Sequence, residues 1–144
     1  MKKIMLFAIG SMLVLASCKK DDVKAIEAIE EEVSSGTWRI TNFVDSGTDE
    51  TANFSGYNFT FSSNGTLAAT NGTTSYTGTW SVTDSNSSDD SADDLDFNIF
   101  INASNDFEDL NDDWDISSHS ASVISLIDVS GGNGGTDYLT FTKN

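Results

Sequence analysis

From Gly36 to the end of the chain, aromatic and β-branched residues recur at every second position in short runs, and Gly, Asn, Ser and Thr punctuate the gaps. A period of two is the signature of a strand with one buried face, so residues 36–144 are restricted to an all-β domain. Eight strands are predicted: 37–45, 54–62, 66–70, 74–83, 95–101, 114–118, 122–129 and 137–143. Alternation is clearest in Tyr57, Phe59 and Phe61, in Tyr76, Gly78, Trp80 and Val82, and in Leu95, Phe97, Ile99 and Ile101. Each set lines one face of its strand. Asn64-Gly65 and Asn71-Gly72 supply the positive backbone angles of tight hairpins, which makes strands two to four a meander.

The chain contains no proline, so one common blocker of strand edges is missing. An antiparallel sheet of this size sheds its edges by closing on itself, and an up-and-down barrel is the expected architecture, with a two-sheet sandwich as the alternative. The polar segment 46–53 is a candidate lid over one mouth. Residues 106–110 form a candidate helical turn closing an end, with Phe107 and Leu110 three apart. Gly131-Gly132-Asn133-Gly134-Gly135 precedes a strand rather than a helix, so it reads as a turn and not as a phosphate cradle.

Ahead of the β domain the period is helical. Val23, Ile26, Ile29 and Val33 recur at spacings of three and four, while Glu27, Glu30, Glu31 and Glu32 face elsewhere. A short helix over 23–33 is predicted, its narrow apolar stripe suited to docking on one end of the β domain. Ser34-Ser35-Gly36 ends it.

The first 17 residues have the parts of an export signal: Lys2 and Lys3, an apolar stretch from Ile4 to Leu15 too short to span a bilayer, and small residues before a cleavage point. Leu15-Ala16-Ser17-Cys18 resembles a bacterial lipobox, and Cys18 is the only cysteine in the chain. The resemblance implies removal of residues 1–17 and lipid attachment at Cys18, with the three acyl chains of that class holding the protein on its membrane. Lys20-Asp21-Asp22 resembles the surface-export tag of some Gram-negative lipoproteins, so the expected location is the outer membrane, facing the cell surface. The domain division is then 1–17 signal peptide, 18–35 lipidated tether and helix, and 36–144 barrel.

Cleavage removes two of the seven basic residues and none of the 23 acidic ones, leaving five against 23, or −18. A chain this acidic repels phosphates, so nucleic acid is not an expected partner. The expected partners are the membrane, through the anchor, and a small hydrophobic ligand, with the protein a monomer and no cofactor.

Gly36-Thr37-Trp38 at the start of the first strand, Tyr57 to Phe61, Asn64-Gly65-Thr66, Gly78 to Val82, and Tyr138-Leu139-Thr140-Phe141 together resemble the small lipocalin-like domains of bacterial lipoproteins. The resemblance implies an eight-stranded barrel without a long C-terminal helix, closed at one end by Trp38 beneath a basic residue of the last strand, for which only Lys143 is available. It further implies binding of a small apolar or amphipathic molecule inside the barrel. Tyr57, Phe59, Phe61, Tyr76, Trp80, Phe97 and Phe141 are the candidate pocket residues; seven rings also suffice to fill a small barrel, which would leave a structural or interaction scaffold.

Two other classes of function are weaker. Carboxylates crowd residues 84–94 and the cluster Asp109, Asn111, Asp112 and Asp113, where calcium binding is the alternative, but the glycine turn and terminal glutamate of a helix-loop-helix calcium site are missing. His119 is the only histidine, and its sequence neighbours Ser118 and Ser120 point to the other face of a strand, so no catalytic set is assigned and the protein is not expected to be an enzyme.

Overall fold

The structure, a computed structural model, describes residues 18–84, 95–130 and 135–144. The expected signal peptide, residues 85–94 of the acidic segment and residues 131–134 of the glycine-rich turn lie outside the described residues. The order of elements is α1 (Cys18–Val33), β1 (Trp38–Asp45), β2 (Thr48–Asp49), a 3-10 turn (Thr51–Phe54), β3 (Asn58–Phe61), β4 (Thr66–Thr70), β5 (Ser75–Asp84), β6 (Leu95–Ile101), a second 3-10 turn (Glu108–Leu110), β7 (Asp112–His119), β8 (Val123–Ser130) and β9 (Gly135–Lys143). All neighbouring strands are antiparallel, and β9 returns to pair with β1 along Trp38↔Lys143 to Val44↔Tyr138. β2 is a two-residue arm folded back on β1, so eight strands close the ring. The architecture is the expected all-β up-and-down barrel with a short N-terminal helix, and the β1–β9 pairing rules out the sandwich.

The seam between β1 and β3 is the thinnest, with Trp38↔Phe59 as its one register pair. Side chains and turns complete it. The Phe43 N–H donates to Thr51 Oγ1 at 2.8 Å, the Glu50 N–H donates to the Phe43 carbonyl at 2.9 Å, and Asn144 donates its side-chain amide to Asn58 Oδ1 and its backbone N–H to the Thr37 carbonyl. The candidate lid at 46–53 is therefore not an open flap. It turns at Ser46 and Gly47, both with positive φ, and is pinned to β1 through Thr51. Phe54 does not begin a strand as predicted: Ser55 and Gly56, the latter at φ 82°, break the run, and the strand starts at Asn58.

Side chains alternate inward from Ile40, Phe59, Phe61, Leu67, Trp80, Val82, Phe97, Ile99, Ile101, Trp114, Leu126, Leu139 and Phe141, all buried. At Gly78, also on the inward line of β5, a Cβ would collide with the Phe100 carbonyl oxygen of β6, so only glycine permits this strand pair to approach as it does. The predicted helix is longer than its apolar stripe, beginning at Cys18 rather than Val23. Ile29 and Val33 are its buried positions, and Val23 stays exposed. Docking of the C-terminal half is what the stripe provides.

Candidate functional site

The two ends of the barrel are built differently. At the end where β1 begins and β9 finishes, Trp38 and Lys143 face each other across neighbouring strands. The indole is fully buried, its N–H donates to the Val33 carbonyl at 2.8 Å, and Lys143 Nζ stands 4.7 Å from the ring centroid while donating to the Glu32 carbonyl at 3.2 Å. A cation over an indole face and against the last carbonyls of a helix is favoured twice, by the ring quadrupole and by the helix dipole. This is the arrangement that the lipocalin resemblance implied for Trp38, with lysine as the basic residue.

α1 lies over this mouth. A β-bulge between Ile116 and Ser118 shifts the alternation of β7 by one, so that His119 continues the inward line opposite Ile124. His119 Nδ1 meets Glu32 Oε2 of the helix at 2.8 Å. Between helix and barrel remains a cleft of about 330 Å³ lined by Ala25, Ile29, Leu95, Ile116, Ser117, Ser118 and His119. On the other flank of the helix a second cleft, of about 300 Å³, is lined by Glu30, Glu31, Ser34, Ser63, Gly65 and Trp80.

Of the seven predicted pocket residues, Trp80 lines the second of these clefts and the other six line neither. Phe59, Phe61, Phe97 and Phe141 are fully buried and Trp80 nearly so. They touch in an unbroken series: Trp80 to Phe97 at 5.7 Å between centroids, Phe97 to Phe61 at 5.6 Å, Phe61 to Phe141 and Phe141 to Phe59 at 5.3 Å, and Phe59 to Phe107 at 6.1 Å. Most of these contacts are edge-to-face, the packing that aromatic rings prefer. Tyr57 and Tyr76 are only half-buried and sit at the far end around Phe107, at 4.8 and 4.2 Å, with the Tyr76 hydroxyl receiving a hydrogen bond from Asn105 at 2.7 Å. Phe54 and Phe43 extend the series to Trp114. The rings occupy the space that a ligand would need.

The far end is acidic. Asp45, Glu50 and Asp109, from β1, the loop after β2 and the second 3-10 turn, bring carboxylate oxygens within 4.8 Å of one another. Partial burial raises the pKa of Glu50 and of Asp109, with repulsion from Asp45 and Asp106 adding to both. Asp112, at the start of β7, is pushed up to about 6, first by burial and then by its contact with Asp113 and the charge of Asp128. Asp49 goes the other way, lowered by hydrogen bonds from the hydroxyl and N–H of Thr51. Of the predicted calcium cluster, Asn111 is diverted to structure: its side chain accepts from the Ile101 N–H at 2.5 Å and donates to the Ile101 carbonyl at 2.9 Å.

Spacing alone gave no route to the Glu32–His119 pair, whose members stand 87 residues apart, or to the Asp45–Glu50–Asp109 group, assembled from three elements. Cys18 is the first residue of α1. No helix among the described residues is long and apolar enough to cross a membrane.

The chain matches no protein-family model and no curated protein. Among solved structures it is similar to a DUF4847 family protein from Bacteroides vulgatus, at 20% identity and a TM-score of 0.50, over 81% of this chain and 97% of that one. At that identity the likeness carries the fold alone: the chain shares its barrel with that protein.

Proposed function

We propose that the mature protein is a lipid-anchored lipoprotein of the outer membrane whose α1 carries a rigid, ring-filled, lipocalin-like barrel at the cell surface, where it works as a monomeric binding or interaction module through its exterior. The observation that carries this reading is the continuous aromatic series from Trp80 to Trp114, which fills the barrel where a lipocalin-type ligand would lie. A barrel filled this way is a scaffold, and its working surfaces are the ends and the outer faces. The −18 charge of the cleaved chain supports a body that does not lie on anionic lipid, and Cys18 at the very start of the helix supports tethering at one point.

The anchor is tested by Cys18→Ser. Metabolic labelling with a lipid analogue is expected to be lost together with detergent-phase partitioning, and label at the wild-type level would contradict it. Surface display is tested by protease added to intact cells, where the full-length band is expected to disappear. Its survival would place the barrel on the inner side of the membrane.

A further inference from the structure

The cleft between α1 and the barrel differs from the filled interior in having both space and two kinds of wall. Ile29 and Ala25 of the helix face Leu95 and Ile116 of β6 and β7, while Ser117, Ser118 and His119 supply hydroxyls and a ring nitrogen along one side. A volume of about 330 Å³ is at the small end of ligand sites, and the mouth of a barrel is a common place for one. The bulge at Ser117 is what adds the imidazole to the polar side: without the extra residue Ser118 would take the inward place opposite Ile124 and His119 would face outward.

Charge selects the head group. His119 is already engaged through Nδ1 with the Glu32 carboxylate, so the pair offers an incoming anion no free cation, and the −18 net charge of the cleaved chain repels it. Hydroxyl-bearing heads meet neither objection, because Ser117 and Ser118 donate and accept hydrogen bonds. We infer that the α1–β6–β7 cleft is a binding site for a small single-chain amphiphile with an uncharged, hydroxyl-rich head, its chain on Ala25, Ile29, Leu95 and Ile116 and its head toward Ser117, Ser118 and His119. The inference places binding outside the aromatic interior. It is independent of whether Cys18 is acylated.

The test is a methyl-resolved NMR titration of the cleaved chain carrying Cys18→Ser, using decyl maltoside below its micelle concentration, with decanoate as the charged control of equal chain length. Saturable shifts are expected at the methyls of Ala25, Ile29 and Ile116, with decanoate weaker by about tenfold or more. Ala25→Trp, at a half-buried helix position, should fill the cleft and abolish the shifts; if that variant fails to fold, Ser117→Tyr closes the polar side instead. Shifts centred on Leu139 in the interior, equal binding of decanoate, or no saturable response would each overturn the site. Movement of the same cleft methyls when residues 85–94 are shortened, with no amphiphile present, would give the cleft to the chain itself and overturn it as well.

Discussion

The two poles of this barrel solve the same problem, closing the end of a cylinder, with opposite electrostatics. Beside the helix, one indole and one ammonium close the mouth: Trp38 is buried, its N–H is satisfied by the Val33 carbonyl, and Lys143 covers its face while capping the helix. Attraction and burial work in the same direction there. At the far pole the apolar closure, built from Phe54, Tyr57, Tyr76 and Phe107, is flanked by Asp45, Glu50 and Asp109, whose charges repel one another, and Asp112 at the start of β7 is opposed by Asp113 and Asp128. Among the residues whose side chains are described, the basic ones are Lys24 on α1 and Arg39 and Lys143 at the strand ends beside it, so none of these relieves that repulsion. One pole gains stability from its charges and the other is held together in spite of them.

The largest expected effect is at the helix pole. Trp38→Ala should cost about 3–5 kcal/mol, as loss of a fully buried large ring does, and should strip hydrogen-exchange protection from α1 because the helix loses the indole that binds its last carbonyl. Phe107→Ala at the far pole should cost a similar ~3–5 kcal/mol in urea unfolding yet leave α1 protected. A loss below about 1 kcal/mol for Trp38→Ala, or equal effects of both variants on α1, would erase the distinction between the poles.

Lys143→Met keeps the length and apolar stem of the side chain but removes the charge. A loss of about 1 kcal/mol is expected from the cation–π contact and the helix terminus together, with Lys143→Arg recovering most of it. Chemical denaturation of the three proteins decides the point, and an unchanged midpoint in the methionine variant would mean that the ammonium is only a bystander above the ring.

The smallest effect belongs to the acidic pole and has the opposite sign. Asp112 has its folded-state pKa raised from 3.8 to about 6, so at pH 7 the fold holds a charge that it disfavours. Lowering the pH through 6 protonates the folded state first, and stability should rise until the pH reaches the unfolded value near 3.8. Since Asp112 is only half-covered, the rise should be smaller than the ~1.4 kcal/mol per pKa unit that full coupling would give. Asp49, whose pKa is lowered, loses its contribution only below its ordinary range and does not obscure this window. Asp112→Asn should reduce the rise between pH 6 and 4 and leave the part that Glu50 and Asp109 contribute through their own raised pKa values, and a fall in stability across that interval in the wild type would contradict the account of this pole.

What the sequence made legible were features carried by period and by local turn chemistry. Alternation along β5 and β6 identified Trp80, Val82, Phe97 and Ile99 as inward, and Asn64-Gly65 and Asn71-Gly72 marked their hairpins, although only the glycine of each pair takes the positive φ expected of both. Alternation fails where the backbone slips. The bulge between Ile40 and Asn42 puts Phe43 on the inward line, and the bulge in β7 does the same for His119, and neither slip has a residue signature. Phe54 reads as strand because it heads an aromatic run, although Gly56 with its positive φ cuts it off. The pairing of Trp38 with Lys143 was accessible only through the lipocalin-like order of motifs. The cleft depends on where a helix rests on a barrel mouth, a tertiary fact that no local pattern encodes.

The central claim is that the barrel interior is full and the usable space lies beside α1. Xenon under pressure reports this directly, since it enters dry apolar voids and leaves packed rings alone. Wild-type crystals are expected to take up no xenon among Phe59, Phe61, Phe97 and Phe141, while Phe141→Ala should open a new site in their midst. Xenon bound between those four rings in the wild-type protein would contradict the account, because it would show an interior with room for a ligand.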